Sequence, residues 1–250
     1  MSGHSKWATT KHKKAQIDKT RGKLFAKLIR QVEVAAREGG GDLDGNSALR
    51  TMFQKARDAS VPLDTIERAI KRGTGELEGV RYESVTYEGY AGSGVAVYVD
   101  CLTDNRNRTG AEIKSIFSKA GGSLAEPGAV AWQFKRVGLI TSPGIIDEDE
   151  ITLAGAEAGA DDVVKVDDDW HIISSPDQAV QVKAAIEAQG IATSGLELTM
   201  IATSTVPVDS EVDLRKVLKV IDLLEDHDDV QNVYSNFETP DEVMEKVLQD

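Results

Sequence analysis

The chain has 250 residues, a formal net charge of −13 and 40% hydrophobic residues. It contains no apolar run near the ~18 residues that a membrane-spanning helix requires, and its N-terminus lacks the apolar segment of a secretory signal. Cys101 is the only cysteine, which excludes an intramolecular disulfide and argues against a cysteine-based zinc site. These features predict a cytoplasmic protein with one large domain or two to three small ones.

The charge is divided unevenly along the chain. The first 80 residues carry a net charge of +6, and the remaining 170 carry −19. Within the first 30 residues nine lysines and arginines face a single acidic residue, Asp18. A cationic end on an anionic body predicts contact with nucleic acid or another polyanion at that end.

The first 79 residues are predicted to form a basic arm followed by a helical domain. Residues 1–22 lack apolar periodicity and are expected to be a flexible arm. A helix is predicted from Lys23, with Leu24, Leu28, Val32 and Ala35 on its apolar face and Lys23, Lys27, Arg30 and Arg37 opposite. Two further helices are predicted, one from Asn46 or Ser47 and one capped by Asp64, which complete a helical domain over 23–79.

The rest of the chain predicts an α+β fold with two ferredoxin-like modules. Residues 137–202 give the element order β-α-β-β-α-β, which is the ferredoxin-like order. When this segment is set aside, the flanking residues 80–136 and 203–240 give the same order, from a strand at Val95–Leu102 through one at Val130–Phe134 and a short one at Ser204–Val206. We therefore expect one ferredoxin-like domain to be inserted in a hairpin of another.

The arm has the residue types that bind nucleic acid. Lysine side chains pair with phosphates and release counterions, and Trp7 could stack on an unpaired base. The alternative is a solvated tail that aids solubility. The composition indicates a polyanion but does not distinguish DNA from RNA.

A second cationic segment, "TDNRNRT" at 103–109, lies where a strand passes into a helix. Arg106 and Arg108 at a helix N-terminus are unfavourable unless an anion accompanies them, because that end already carries positive charge. Such an anion could be a phosphate. It could equally be a carboxylate of Asp104, of Glu112 or of another domain.

No catalytic or metal-binding pattern stands out. The sequence has no G-x-S-x-G, H-E-x-x-H or P-loop motif. The acidic clusters lack EF-hand spacing and are interpreted as solvated turns and helix starts. Cys101 ends an apolar strand and is expected to be buried and inert. We therefore expect no enzymatic activity, no cofactor and no metal.

Several long blocks resemble the YebC-like family, which includes the mitochondrial translational activator of cytochrome c oxidase. They include "GHSKWATTKHKK", "DKTRGKLFAKLIRQVEVAAREGG", "YVDCLTDNRNRTGAEIKSIFSKAGGSL" and "VAWQF". The resemblance implies an N-terminal helical domain, two α/β domains and no enzymatic activity. It also implies binding to promoter DNA or action at the ribosome, and it points to Lys6–Lys14, Lys19–Lys23 and Arg106–Arg108.

Three functions follow as hypotheses. The first is a ribosome-associated, RNA-binding translation factor, and the second is a transcriptional regulator that binds double-stranded DNA. The third, an enzyme, lacks any supporting constellation. A monomer is expected, and the predicted nucleic-acid-binding residues are Lys6, Trp7, Lys11, His12, Lys13, Lys14, Lys19, Arg21, Lys23, Lys27, Arg30, Arg106 and Arg108.

Overall fold

Three helices form the N-terminal part of the computed structural model, which describes the backbone of residues 18–249 and the side chains of 22–248. They are α1 (Asp18–Gly39), α2 (Ser47–Asp58) and α3 (Leu63–Gly73). Helix α1 begins five residues before the predicted start at Lys23, so residues 18–22 of the predicted arm are helical. Apolar periodicity could not reveal this first turn, because the periodic apolar residues begin only at Leu24.

A buried carboxylate ties α1 to α3. Glu33 is only 2% exposed and accepts hydrogen bonds from Arg37 at 3.2 Å and from Arg72 at 2.9 Å. The two helices approach so closely that a Cβ atom at Gly73 would lie 2.4 Å from the carbonyl oxygen of Glu33. Leu24, predicted to belong to the core, is 47% exposed because the buried stripe of α1 begins one turn later.

The first sheet has the strand order β3-β1-β2-β9, and all neighbours are antiparallel. Helices α4 and α7 pack on the face of this sheet that carries alternate β2 residues such as Val97 and Val99. The elements are β1 (Glu83–Tyr90), β2 (Ala96–Thr103), α4 (Arg106–Ala120), β3 (Ser123–Ala125), α7 (Glu211–Glu225) and β9 (Val230–Ser235).

The second sheet lies between β3 and α7 in the chain and has the order β5-β6-β4-β7. This is the strand arrangement of a ferredoxin-like module, as the sequence predicts for this segment. Its elements are β4 (Phe134–Pro143), α5 (Glu148–Ala158), β5 (Asp162–Val166), β6 (Asp169–Ser174), α6 (Ala179–Ala188) and β7 (Gly195–Ala202).

Individual strands of the first sheet differ from the prediction. The strand predicted at Val130–Phe134 is a 3-10 turn over Ala131–Gln133, after which β4 begins in the other sheet. The strand predicted near 204–206 is β8 (Val206–Pro207), which pairs with β10 (Phe237–Glu238) instead. The place beside β2 that was expected for the strand at 204–206 is taken by β1, because a tight turn joins β1 to β2 in a local hairpin. The terminal helix α8 (Asp241–Gln249) was not predicted.

The second face of the first sheet packs against the inserted sheet. Tyr98 lies with its ring centroid 5.9 Å from that of Phe134 and 6.3 Å from that of Tyr234. Met200 and Ala202 of β7 complete this contact. Both faces of the first sheet are therefore covered. None of the helices within residues 18–249 combines the length and apolar character needed to cross a membrane.

A second buried carboxylate fixes the segment that links the two sheets. Glu88 of β1 is 7% exposed and accepts hydrogen bonds from the backbone N–H groups of Gly128 at 2.6 Å, Val130 at 2.6 Å and Ala131 at 2.8 Å. Burial by itself would raise the pKa of Glu88, but the three N–H groups outweigh it and hold that pKa below its ordinary value.

We predict that Glu88→Gln lowers the free energy of unfolding by about 1–3 kcal/mol, because an amide cannot accept all three hydrogen bonds. The contribution of the carboxylate is present above its unfolded-state pKa, since its folded-state pKa is the lower one. It is lost as the pH falls through the folded-state value. Urea denaturation at pH 7 and in the acid range measures both effects.

Glu126→Gln is the matched control, because Glu126 is an exposed residue of the same segment. It should leave the free energy of unfolding nearly unchanged. Equal losses in the two variants would show that the buried carboxylate does not fix the segment.

Candidate nucleic-acid interface

Three of the predicted cations lie on one face of α1 and contact the body of the protein. The Lys23 Nζ lies 2.5 Å from a carboxylate oxygen of Asp226 and 2.9 Å from its carbonyl oxygen. The Lys27 Nζ donates to the carbonyl oxygen of Glu225 at 2.8 Å. Spacings of four and three residues place Lys23, Lys27 and Arg30 on one side of a helix.

The surface that receives these cations is the C-terminal end of α7. The last carbonyl groups of a helix have no partner within the helix, and this end carries partial negative charge. Lysine side chains are therefore well suited to it. The basic face of α1 thus holds the helical domain against the α/β body.

Asp229, directly before β9, is the centre of this contact. The residue is 3% exposed, and its carboxylate accepts hydrogen bonds from Arg30 at 3.1 Å and from Arg108 at 2.7 Å. Arg30 also donates to the carbonyl oxygen of Asp228, and its guanidinium lies 5.3 Å from the ring centroid of Tyr82. One carboxylate therefore joins α1, the start of α4 and the start of β9.

Hydroxyl groups complete the surroundings of this carboxylate. Thr109 Oγ1 lies 2.7 Å from an oxygen of Asp229, and Thr103 Oγ1 lies 2.7 Å from Thr109 Oγ1. Burial acts to raise the pKa of Asp229, but the hydrogen bonds from Arg108 and Thr109 and the charges of Arg108 and Arg30 hold that pKa below its ordinary value. Asp229 is therefore ionised at neutral pH.

Arg106 and Arg108 have different surroundings. Arg108 pairs with Asp104 at 3.0 Å as well as with Asp229, so a carboxylate provides the anion expected beside this arginine. The Arg106 side chain is 63% exposed and lies 3.8 Å from Glu83, a distant contact that leaves it accessible. Of the two, Arg106 has the more accessible side chain.

The remaining predicted residues lie at or before the start of α1. Lys19 and Arg21 belong to its first turns, and their side chains are not described. The residues predicted in the arm lie outside the described residues: Lys6, Trp7, Lys11, His12, Lys13 and Lys14. Their role in binding stays a prediction.

Glu112, His227 and Asp229 bring ligand-type atoms within 4.8 Å of one another. The His227 Nδ1 accepts the backbone N–H of Asp229 at 3.1 Å, so its other nitrogen carries the proton and faces Glu112 at 2.9 Å. Arg108 also lies 3.9 Å from Glu112. A metal ion here would meet a guanidinium and acceptors that are already engaged, so the group is better explained as an ion-pair network.

Cys101 lies close to this network as a buried, protonated thiol. It is 1% exposed, as the sequence predicts, and burial together with the charges of Asp229 and Asp100 raises its pKa to about 12. The thiolate is therefore absent at neutral pH.

The sequence alone did not identify the acidic partners as functional residues. In the sequence, Asp226, Asp228 and Asp229 form one of the acidic clusters that predict solvated turns and helix starts. The spacing of the α1 cations shows only that they share a face, and the residues opposite them lie about 200 positions away, as in the 203-residue separation of Lys23 and Asp226.

We predict that Asp229→Ala lowers the free energy of unfolding by about 2–4 kcal/mol, because it leaves Arg30 and Arg108 without their shared carboxylate. The partial exposure of both arginines keeps the loss below that of a fully buried pair. Urea denaturation followed by circular dichroism measures the effect.

Asp228→Ala provides the comparison at the neighbouring position. The Asp228 residue is exposed, and its bond from Arg30 uses the backbone carbonyl, which alanine retains. A change within about 0.5 kcal/mol is expected. If Asp229→Ala were equally mild, the carboxylate would have no structural role.

Comparison with known proteins identifies relatives of this chain. A "Probable transcriptional regulatory protein" of Halothermothrix orenii is 53% identical over 100% of both chains, and one of Thermobifida fusca is 53% identical over 99% of this chain and 100% of that protein. The crystal structure of the conserved hypothetical protein Aq1575 from Aquifex aeolicus matches with a TM-score of 0.81 and 43% identity, covering 91% of this chain and 94% of that one.

Two family models match consecutive parts of the chain. The "TACO1/YebC protein N-terminal domain" matches residues 5–76, which include the three helices, and the "TACO1/YebC second and third domain" matches residues 82–237, which include both four-stranded sheets. Together with the full-length relatives at about half identity, these matches bear out the resemblance found in the sequence. The chain belongs to the TACO1/YebC family.

Proposed function

We propose that this protein is a non-enzymatic, cytoplasmic regulator of gene expression that binds RNA at the ribosome as a monomer. The observation that carries the proposal is the concentration of nine lysines and arginines against one acid in the first 30 residues of an acidic chain. Cations of this density bind phosphates, and the acidic body directs the contact to one end.

The docked face of α1 supports a division among these cations. Lys23, Lys27 and Arg30 hold the helical domain on the body, so they have a structural role. In the proposal, the six cations before Lys23 make most phosphate contacts, and the exposed Arg106 adds to them. Of these six, Lys19 and Arg21 lie in the first turns of α1, so they connect the cations of the arm to those on the docked face of the helix.

The acidic start of helix α3 argues against its use as a recognition helix for duplex DNA. A recognition helix presents its N-terminal residues to base edges in the major groove. Helix α3 carries the exposed Asp64 in its first turn, and Glu67 follows three residues later, so the start of this helix would face phosphates with carboxylates. Arg68 on the same helix is already paired with Asp64 at 2.6 Å.

Several observations support a role without catalysis. The curated relatives carry the name of transcriptional regulators, which suggests control of gene expression. A cleft of about 400 Å³ in the α/β body is lined by prolines, carboxylates and one threonine, without a paired nucleophile and base. Those relatives' name keeps duplex-DNA binding as the second candidate function.

We predict that the triple variant Lys11→Glu, Lys13→Glu, Lys14→Glu loses RNA affinity, because three phosphate partners are replaced by repelling charges. Each phosphate contact on a single strand contributes about 0.7 to the slope of log affinity against log salt concentration. Loss of three contacts should therefore reduce the magnitude of this slope by roughly 2. Fluorescence anisotropy with labelled single-stranded RNA at several salt concentrations measures both quantities.

Charge reversal on α4 and α7 provides the control: Lys114→Glu, Lys119→Glu and Lys219→Glu change the net charge equally at exposed positions. RNA affinity should change far less than in the arm variant. Equal losses in both variants would remove the arm from the mechanism.

Ribosome association is tested by sedimenting a low-salt cell extract through sucrose, with and without RNase. We expect the protein to move with ribosomal subunits and to leave them at high salt or after RNase treatment. A protein that stays free of ribosomes but gives a base-specific footprint on duplex DNA would favour the second candidate function instead.

A further inference from the structure

Trp132 is exposed in an unusual way for this chain. It is 71% exposed, whereas Trp170 is 3% exposed in the core of the inserted domain. Among the described residues, the other large hydrophobic side chains with high exposure are aliphatic. Trp132 lies in the 3-10 turn over Ala131–Gln133, at the point where the chain passes from one sheet to the other.

The backbone on the N-terminal side of Trp132 is held rigidly. The three N–H groups that Glu88 binds belong to Gly128, Val130 and Ala131, which lie within the four residues before Trp132. Val130 is completely buried and anchors the turn from below. A buried carboxylate dedicated to three backbone groups fixes the position of the next residue.

The C-terminal side is anchored equally well. Gln133 accepts a side-chain hydrogen bond from Asn236 at 2.9 Å, and its carbonyl oxygen accepts from the N–H of Thr203 at 2.8 Å. Phe134, the following residue, is buried. Trp132 is thus an exposed residue between two partly buried neighbours, Ala131 and Gln133, each of which is held by hydrogen bonds.

The indole ring has its polar edge satisfied within the protein. Its Nε1 donates to the carbonyl oxygen of Ala129 at 3.1 Å, which fixes the orientation of the ring. The exposed part is therefore aromatic surface without an unsatisfied donor. A large, oriented aromatic surface loses little conformational entropy when a partner binds to it.

We propose that Trp132 is a stacking platform for an unpaired base of single-stranded RNA, an inference that rests on the proposed function. Residues 127–134 contain no charged side chain, and the exposed residues Thr203 and Ser204 nearby are neutral and polar. The face of a base is itself uncharged, and the exposed Lys135 and Arg136 directly after this segment provide the cations that single-strand sites place beside their stacking aromatics. A protein-binding tryptophan would instead sit in a broader apolar patch.

Tryptophan fluorescence tests the platform directly. In the Trp7→Phe variant, emission comes from Trp132 and Trp170, and Trp170 is too buried to stack on a base. Titration with a single-stranded oligouridylate of about 12 nucleotides should quench part of this emission. The Trp7→Phe, Trp132→Phe double variant should show no quenching, because its emission comes from Trp170 alone.

Affinity provides the second measurement. Trp132→Ala should weaken binding of the oligouridylate by about 5- to 100-fold, the range of a lost base–aromatic stack, and should weaken duplex DNA binding much less. Leu153→Ala, which truncates another exposed apolar residue at 62% exposure, should leave both affinities unchanged. Thermal unfolding should be similar in all variants, because neither side chain is buried.

The outcomes separate this inference from the proposed function. If the protein binds the oligouridylate but Trp132 emission is not quenched and Trp132→Ala binds normally, the platform is wrong and the arm alone explains binding. If quenching by duplex DNA equals that by the single strand, stacking on an unpaired base is also wrong. If the unmodified protein binds no nucleic acid at low salt, the proposed function fails, and the platform fails with it.

Discussion

The Asp229 carboxylate is the interaction on which the arrangement of this molecule depends. It receives Arg30 from the helical domain and Arg108 from the start of α4, and it lies where the chain enters β9. An ionised carboxylate with low exposure is stable only if charged and polar donors surround it. The same face of α1 is held at further points, since both of its lysines donate to carbonyl oxygens at the end of α7.

Two more buried acids act in the same way at other junctions. Glu33 joins α1 to α3 through Arg72 and also accepts from Arg37 of its own helix, and Glu88 joins β1 to the segment between the sheets through three backbone N–H groups. The protein therefore uses carboxylates in two distinct ways. A few are buried and connect elements, while the exposed acids give the body the negative charge that separates it from the basic end.

The sequence predicted the helices and strands better than it predicted which strands pair with each other. Apolar periodicity indicated α1 and the whole β-α-β-β-α-β order of the inserted module, because each pattern is local. It could not show that β1 would occupy the centre of the first sheet, since strand pairing depends on competition between distant segments. The strand predicted at Val130–Phe134 failed for a related reason: its apolar residues are buried by two different sheets, with a tight turn between them.

The candidate interface shows the same limit. Lysines and arginines can be found in a sequence, but whether each one meets a phosphate or a carboxylate depends on the fold. Arg108 and Arg30 share one acid from a segment far along the chain, and neither neighbouring sequence nor charge density indicates it. Arg106, two residues from Arg108, remains exposed because it lies on another side of the same helix start.

The long separation between α1 and its acceptors also has a consequence for synthesis. Lys23 and its partner Asp226 are 203 residues apart, so the helical domain is translated long before the surface that holds it. Its own core, closed by Glu33 and Arg72, can form early from local contacts. The surface that receives α1 therefore emerges near the end of synthesis, so the cationic helical domain stays undocked until nearly the whole chain has been made.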